Sequence, residues 1–123
     1  MTLTTIIFLV LALYVLQIFL QETSLYRFNV WQILGNRDER PEMSVIAARL
    51  DRAKNNMMEA LPLFLGLALV KEGDHSKVVT AATWFLVART VYVPVYAAGI
   101  PVLRSVVWLA AVGAMLMMAL ALI

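Results

Sequence analysis

Two long runs without a charged side chain constrain the fold of this chain more than any other feature of its sequence. They cover residues 3–20 and 106–123. As a helix with a rise of about 1.5 Å per residue, each run spans roughly 27 Å, close to the thickness of the hydrocarbon core of a bilayer. Both runs therefore predict membrane-spanning helices. The first is interpreted as a retained span, because no basic residue precedes it and no small-residue cleavage pattern follows it.

The composition also indicates a membrane protein. Hydrophobic residues make up 63% of the chain, whereas soluble domains contain roughly 45–50%. The absence of cysteine excludes disulfides, thiolate metal ligands and a cysteine nucleophile. Any sulfur chemistry must therefore use a thiol supplied by a substrate, and no metal site or nucleic-acid partner is predicted.

Two further segments are long enough to cross a membrane, although both carry polar residues. The predicted fold is all-α, a bundle of four transmembrane helices that forms one domain over residues 1–123. The approximate helix bounds are 3–27, 45–70, 78–98 and 103–123. The second and third helices contain Pro62 and Pro94, which transmembrane helices tolerate as kinks.

The distribution of basic residues predicts the orientation of this bundle. Lys71 and Lys77 are the basic residues on the side of the second connection. The side of the first and third connections carries many more: Arg27, Arg37, Arg40, Arg49, Arg52, Lys54 and Arg104. The positive-inside rule then places the first and third connections in the cytoplasm and both termini on the opposite side.

The second predicted helix carries a polar stripe in its first half. Arg49, Arg52, Asn56 and Glu59 follow one another at i, i+3, i+7 and i+10, which places them on one helix face. Polar groups at membrane depth are costly and are usually retained for function or for pairing. Pairing within the bundle remains an alternative to a functional role here, and Arg49 is better interpreted as an interfacial anchor than as a binding residue.

The predicted topology brings polar residues of two other helices to the same level. Tyr92 and Tyr96 lie near the cytoplasmic end of the third helix, with Arg89 deeper, and Arg104 begins the fourth. Together with the stripe, these groups offer cationic and amide donors, a carboxylate and phenols. Such a set suits a small ligand with several carboxylates and an amine.

Three of these helices also resemble those of a known family, the MAPEG family of membrane-associated proteins in eicosanoid and glutathione metabolism. The resemblance rests first on the second helix, with the pattern Arg52-Ala53-x-x-Asn56-x-x-Glu59-x-x-Pro62-x-Phe64. The third helix adds Arg89-x-x-Tyr92-x-x-x-Tyr96, and the fourth adds Arg104-Ser105. The likeness extends over nearly the whole chain in length, helix count and topology, and the turns at 35–38 and 99–105 look like those of bacterial members.

This resemblance implies a homotrimer in a bacterial inner membrane, with glutathione bound between neighbouring subunits near the cytoplasmic face. By position, Arg52, Asn56 and Glu59 would hold the carboxylates and amine of glutathione. Tyr92 and Tyr96 would make further contacts, and Arg104 would act as the catalytic residue that stabilises the thiolate. The implied activity is that of a transferase or peroxidase on hydrophobic electrophiles or hydroperoxides that arrive through the bilayer.

The sequence departs from the family pattern at some points and leaves alternatives open. Ala60 stands where some eicosanoid-making members have tyrosine, and the loop arginine that some members use matches either Arg27 or Arg37. A small four-helix proton-coupled transporter is one alternative, although such proteins often need a carboxylate in the first helix, whose apolar run has none. A non-catalytic glutathione-binding membrane protein is another.

Overall fold

A computed structural model describes residues 1–26, 29–35 and 42–123, and these residues form four long helices and one short one. The helices are α1 (Leu3–Leu25), α2 (Val30–Leu34), α3 (Val45–Leu69), α4 (His75–Ala98) and α5 (Pro101–Leu122). The described residues contain no strand. The predicted all-helical bundle is therefore confirmed. Arg27, Arg37 and Arg40, and with them the predicted end of the first helix at residue 27, lie outside the described residues.

Local capping explains where the helices begin. Ser44 caps α3, because its hydroxyl accepts a hydrogen bond from the Ala47 N–H at 3.1 Å. Asp74 caps α4 in the same way, and this helix therefore begins at His75 rather than at the predicted residue 78. The α5 helix begins at Pro101 rather than at residue 103, because proline is favourable in the first turn, where its missing N–H is not needed.

Three of the long helices, α1, α4 and α5, are long and apolar enough to cross a membrane. The α3 helix is as long as its neighbours, but its first half carries the charged stripe and therefore lowers its hydropathy. Large apolar side chains cover the outside of the bundle, among them Phe8, Phe19, Trp84 and Leu116. A surface of this kind suits contact with lipid or with other apolar protein surfaces.

The four long helices pack as two pairs. The α1 helix packs mainly on α3, and α4 packs mainly on α5, while contacts between α3 and α4 join the pairs. At the centre of this joint, the rings of Phe64 and Phe85 stack with centroids 4.5 Å apart and an interplanar angle of 12°. Both rings are fully buried. The core therefore fixes α3 against α4 at a point on α3 that follows the polar stripe along the chain.

Glycines with positive φ form the two tight connections. Gly99 ends α4 in the left-handed conformation, with φ of 75°. Gly73 has φ of 88°, and a Cβ there would collide with the backbone of Ala121 and Leu122. The next residue, Asp74, donates its N–H to the Ala121 carbonyl at 2.9 Å. The end of α5 therefore packs against the connection between α3 and α4.

Candidate functional site

The candidate site lies where α3 and α5 begin and α4 ends, and Tyr96 of α4 is its centre. The Nε of Arg52 donates a hydrogen bond to the Tyr96 hydroxyl at 3.0 Å. The guanidinium carbon of Arg104 lies 5.0 Å from the centroid of the Tyr96 ring, within the range of a cation–π contact. One phenol thus contacts an arginine from α3 and another from α5.

A second set of contacts lies about one helical turn nearer the middle of α4. The rings of Tyr92 and Tyr96, one helical turn apart, meet edge to face with centroids 5.4 Å apart. The Arg89 guanidinium lies over the Tyr92 ring, with its carbon 4.4 Å from the centroid. Arg89 also donates from Nη1 to the Asn56 Oδ1 at 2.7 Å. The carboxamide of Asn56 is therefore oriented by a buried arginine of the neighbouring helix.

These groups surround a cleft of about 260 Å³. It is lined by Asn56, Tyr92, Tyr96, Arg104, Ser105 and Trp108. A second cleft of about 210 Å³ continues from it along Tyr96 and Arg104 and includes Arg52. The structure thus brings five of the six predicted site residues together around two adjoining clefts.

Glu59 lies about one helical turn beyond Asn56 along α3. It is exposed and lines a third cavity, of about 150 Å³, which shares Asn56 and Trp108 with the main cleft and includes Arg89. Glu59 makes no hydrogen bond or ion pair with any residue in the described ranges. Its carboxylate is therefore available to a ligand that reaches from the main cleft past Asn56.

Two residues of the main cleft, and the contact that Arg89 makes, are not among the sequence predictions. Ser105 and Trp108 line the main cleft, and the spacing of Trp108 at i+4 from Arg104 could have placed it on the same helix face. Arg89 belongs to the polar pattern of the third helix, but its contact with Asn56 depends on the rotation of α4 about its axis, which the pattern alone does not predict.

The three cavities have a clear excess of positive charge. Arg49, Arg52, Arg89 and Arg104 line them, and Glu59 is the one carboxylate among their described lining residues. In the parts of the chain that the structure describes, no group of three or more His, Cys, Asp or Glu side chains is placed to hold a metal ion. The arrangement suits an anionic ligand with more carboxylates than amines.

Comparison with known proteins agrees with the resemblance found in the sequence. A family model described as the MAPEG family matches residues 1–123, which is the whole chain. No curated protein and no solved structure gives a significant match. The family match covers every element that lines the clefts described above.

Proposed function

The chain belongs to the MAPEG family, whose members are membrane proteins of glutathione-related metabolism, and we propose that this integral membrane protein is a glutathione-dependent transferase or peroxidase. Its substrates would be hydrophobic electrophiles or hydroperoxides that reach the site through the bilayer. Family membership supports the general class of activity. The proposal for this chain rests on the meeting of Arg52, Tyr96 and Arg104 beside the main cleft.

Glutathione has the charges that this site lacks. It carries two carboxylates, one amine and a thiol, so that it is anionic at neutral pH. We assign its carboxylates to Arg52 and Asn56, whose donors come from adjacent turns of α3, and its amine to Glu59. Tyr92 and Tyr96 line the main cleft together with Asn56 and would make further contacts with the peptide. Guanidinium–carboxylate pairs are among the stronger polar contacts in proteins, each contributing about 1.5–3 kcal/mol.

Arg104 is the residue we assign to the chemistry. Since the chain has no cysteine, the reacting sulfur must be that of glutathione. A guanidinium beside a thiol favours its ionised form and lowers the pKa of that thiol, which is ordinarily about 8.5. In the transferase reaction, the thiolate sulfur forms a bond to the electrophilic carbon, and the leaving group departs with the bonding electron pair.

The position of the site also supports the assembly that the family resemblance implies. We propose a homotrimer in which a neighbouring subunit completes the glutathione site at the cytoplasmic side. Arg52 and Glu59 are both exposed in the single chain, although they belong to the polar stripe of a helix that the sequence predicts to enter the membrane. A neighbouring subunit that covers them would remove this costly exposure of charge near lipid.

Calorimetric titration of the detergent-solubilised protein with glutathione tests the binding proposal. We expect Arg52→Gln to weaken binding about tenfold or more, because a single charged hydrogen bond contributes about 1.5–3 kcal/mol. Lys77→Gln is the matched control, since it removes an exposed cation at the other end of the bundle and should leave the affinity unchanged. The proposal fails if the wild-type protein gives no binding heat, or if both variants weaken binding equally.

The ultraviolet absorbance of the thiolate, measured with a conjugation assay, tests the role of Arg104. We expect Arg104→Ala to bind glutathione and to lose both the thiolate signal and the conjugation rate. Wild-type protein that binds glutathione without forming thiolate would be a non-catalytic binding protein. That result would refute the enzymatic part of the proposal.

A further inference from the structure

The 210 Å³ cleft of the candidate site contains one arginine, Arg49, to which the proposed function assigns no role. It lies at the end of the bundle where α3 and α5 begin and α4 ends, and it is lined by Arg49, Arg52, Tyr96, Gly99, Ile100, Pro101 and Arg104. Three guanidiniums line it, and its described lining residues include no carboxylate. We propose that this cleft binds a phosphate group at the boundary between water and lipid.

Arg49 is held in this cleft by the end of α4. Its Nη1 donates to the Ala97 carbonyl at 3.2 Å. Its guanidinium packs directly on Gly99, where a Cβ would come within 2.6 Å of the Arg49 Cζ. An arginine that served only as an interfacial anchor would extend its charge into water. Arg49 instead turns back towards the protein and keeps its remaining N–H groups for a ligand.

The two other arginines also have donors to offer. Arg52 uses its Nε for the Tyr96 hydroxyl, and Arg104 is held by the ring face of the same tyrosine. Within the described ranges, the terminal nitrogens of both guanidiniums make no side-chain hydrogen bond. A guanidinium presents such nitrogens as a planar fork that matches two oxygens of a phosphate.

The beginning of α5 adds to the positive potential of the cleft. Its N-cap residue, Ile100, makes no side-chain capping bond, and the first turn contains no acidic residue. The N–H groups of this turn therefore keep the partial positive charge of a helix N-terminus. Together with three guanidiniums that repel one another in a small space, this potential favours an anion with more than one negative charge.

The depth of the cleft favours a phosphate over other anions. Helix ends of membrane bundles lie at the level of the lipid headgroups, and anionic headgroups attract basic residues near the membrane surface. The phosphate could belong to an anionic lipid or be free in solution. The proposal does not rest on glutathione binding, since Arg49 is assigned to no group of glutathione, although Arg104 lines both clefts and Arg52 belongs to both proposed sites.

The test compares two sources of phosphate. Detergent-solubilised protein is titrated with inorganic phosphate at constant ionic strength, and protein in phosphatidylcholine nanodiscs is compared with and without phosphatidic acid by native mass spectrometry of retained lipid. We expect Arg49→Gln to weaken phosphate binding or lipid retention about tenfold. Lys54→Gln is the matched control, because it neutralises a cation on the same helix that does not line the cleft. It should behave as wild type.

A second variant moves the Arg49 guanidinium without removing its charge. Gly99→Ala places a methyl group where that guanidinium lies, so we expect it to weaken phosphate binding as well. Binding of inorganic phosphate would identify a free ligand, and retention of phosphatidic acid alone would identify a lipid headgroup. The proposal is overturned if neither source binds, or if Lys54→Gln reduces binding as much as Arg49→Gln.

Glutathione titrations of the same variants keep the two proposals apart. Arg49→Gln should retain glutathione affinity while it loses phosphate. A protein that binds phosphate in the cleft and no glutathione would refute the proposed function and leave the phosphate site in place.

Discussion

Replacing Arg89 by methionine should separate the stability of the bundle from its ligand binding. Arg89 is only 1% exposed, and its Nη1 donates to Asn56 while its charge lies over the Tyr92 ring. Its Nε and Nη2 find no acceptor among the described residues. Among the described residues, the side chain therefore makes one strong hydrogen bond and leaves two buried nitrogens without an acceptor.

The expected change in stability follows from these contacts. Arg89→Met removes a charged hydrogen bond, about 1.5–3 kcal/mol, and a cation–π contact, about 0.5–2 kcal/mol. It also removes two buried donors without acceptors, each of which costs about 1–3 kcal/mol. These contributions oppose each other, and apolar replacement of buried charge is often neutral. We expect the free energy of unfolding to change by no more than about 2 kcal/mol.

Ligand binding should respond differently. Without Arg89, nothing described in the structure orients the Asn56 carboxamide towards the cleft, so we expect glutathione affinity to fall about tenfold, equivalent to about 1.4 kcal/mol. Equilibrium unfolding in mixed micelles and calorimetry on the same samples measure the two effects. Arg89→Ala is the comparison, because it also leaves an empty volume, which typically costs a further 2–5 kcal/mol.

Two outcomes would refute this reasoning. If Arg89→Met destabilises the protein as much as Arg89→Ala does, then the guanidinium has stabilising partners beyond Asn56 and Tyr92. If Arg89→Met leaves glutathione affinity unchanged, then the orientation of Asn56 does not matter for the ligand.

Three other substitutions test the packing and the site. Gly73→Ala should lower the melting temperature, because its Cβ would collide with the last turn of α5 and because φ there is 88°, whereas Gly66→Ala, with open space around its Cβ, should not. Phe64→Ala should cost about 3–5 kcal/mol in equilibrium unfolding, since it removes a fully buried stacked ring. Tyr96→Phe should weaken glutathione binding by about 1 kcal/mol in calorimetry, because it removes the acceptor of Arg52 but keeps the ring.

The sequence predicts most of the fold because apolar runs of bilayer length permit few structures. It also predicts which ends of the helices meet, since short connections force neighbouring helices to run in opposite directions. It does not predict α2, because residues 28–34 mix apolar and polar side chains without a clear period and are consistent with an extension of the first helix or with an interfacial segment.

The structure places five of the six predicted site residues around two adjoining clefts, but the sequence does not predict the contacts among them. The spacing of Arg52, Asn56 and Glu59 gives their common face, yet a helix face does not say which side chain of a neighbour it meets. The contact of Asn56 with Arg89, and the position of Glu59 in an adjoining cavity, depend on side-chain rotamers and on how α4 is rotated. Such details depend on how the apolar side chains between α3 and α4 pack, which the polar pattern does not encode.

The packing of the helices as two pairs has a consequence for how this protein is assembled. The hydrogen bonds from Arg49 and Arg52 to α4, and from Arg89 to Asn56, all cross the seam between the pairs. Neither helix pair contains the whole site, so the site forms only after α4 and α5 have packed against α1 and α3. A ligand that contacts both pairs would bind only the assembled chain and would therefore stabilise it by mass action. Substitutions that weaken the packing between the two pairs would therefore lower the affinity for the ligand, even where the substituted residue does not contact it.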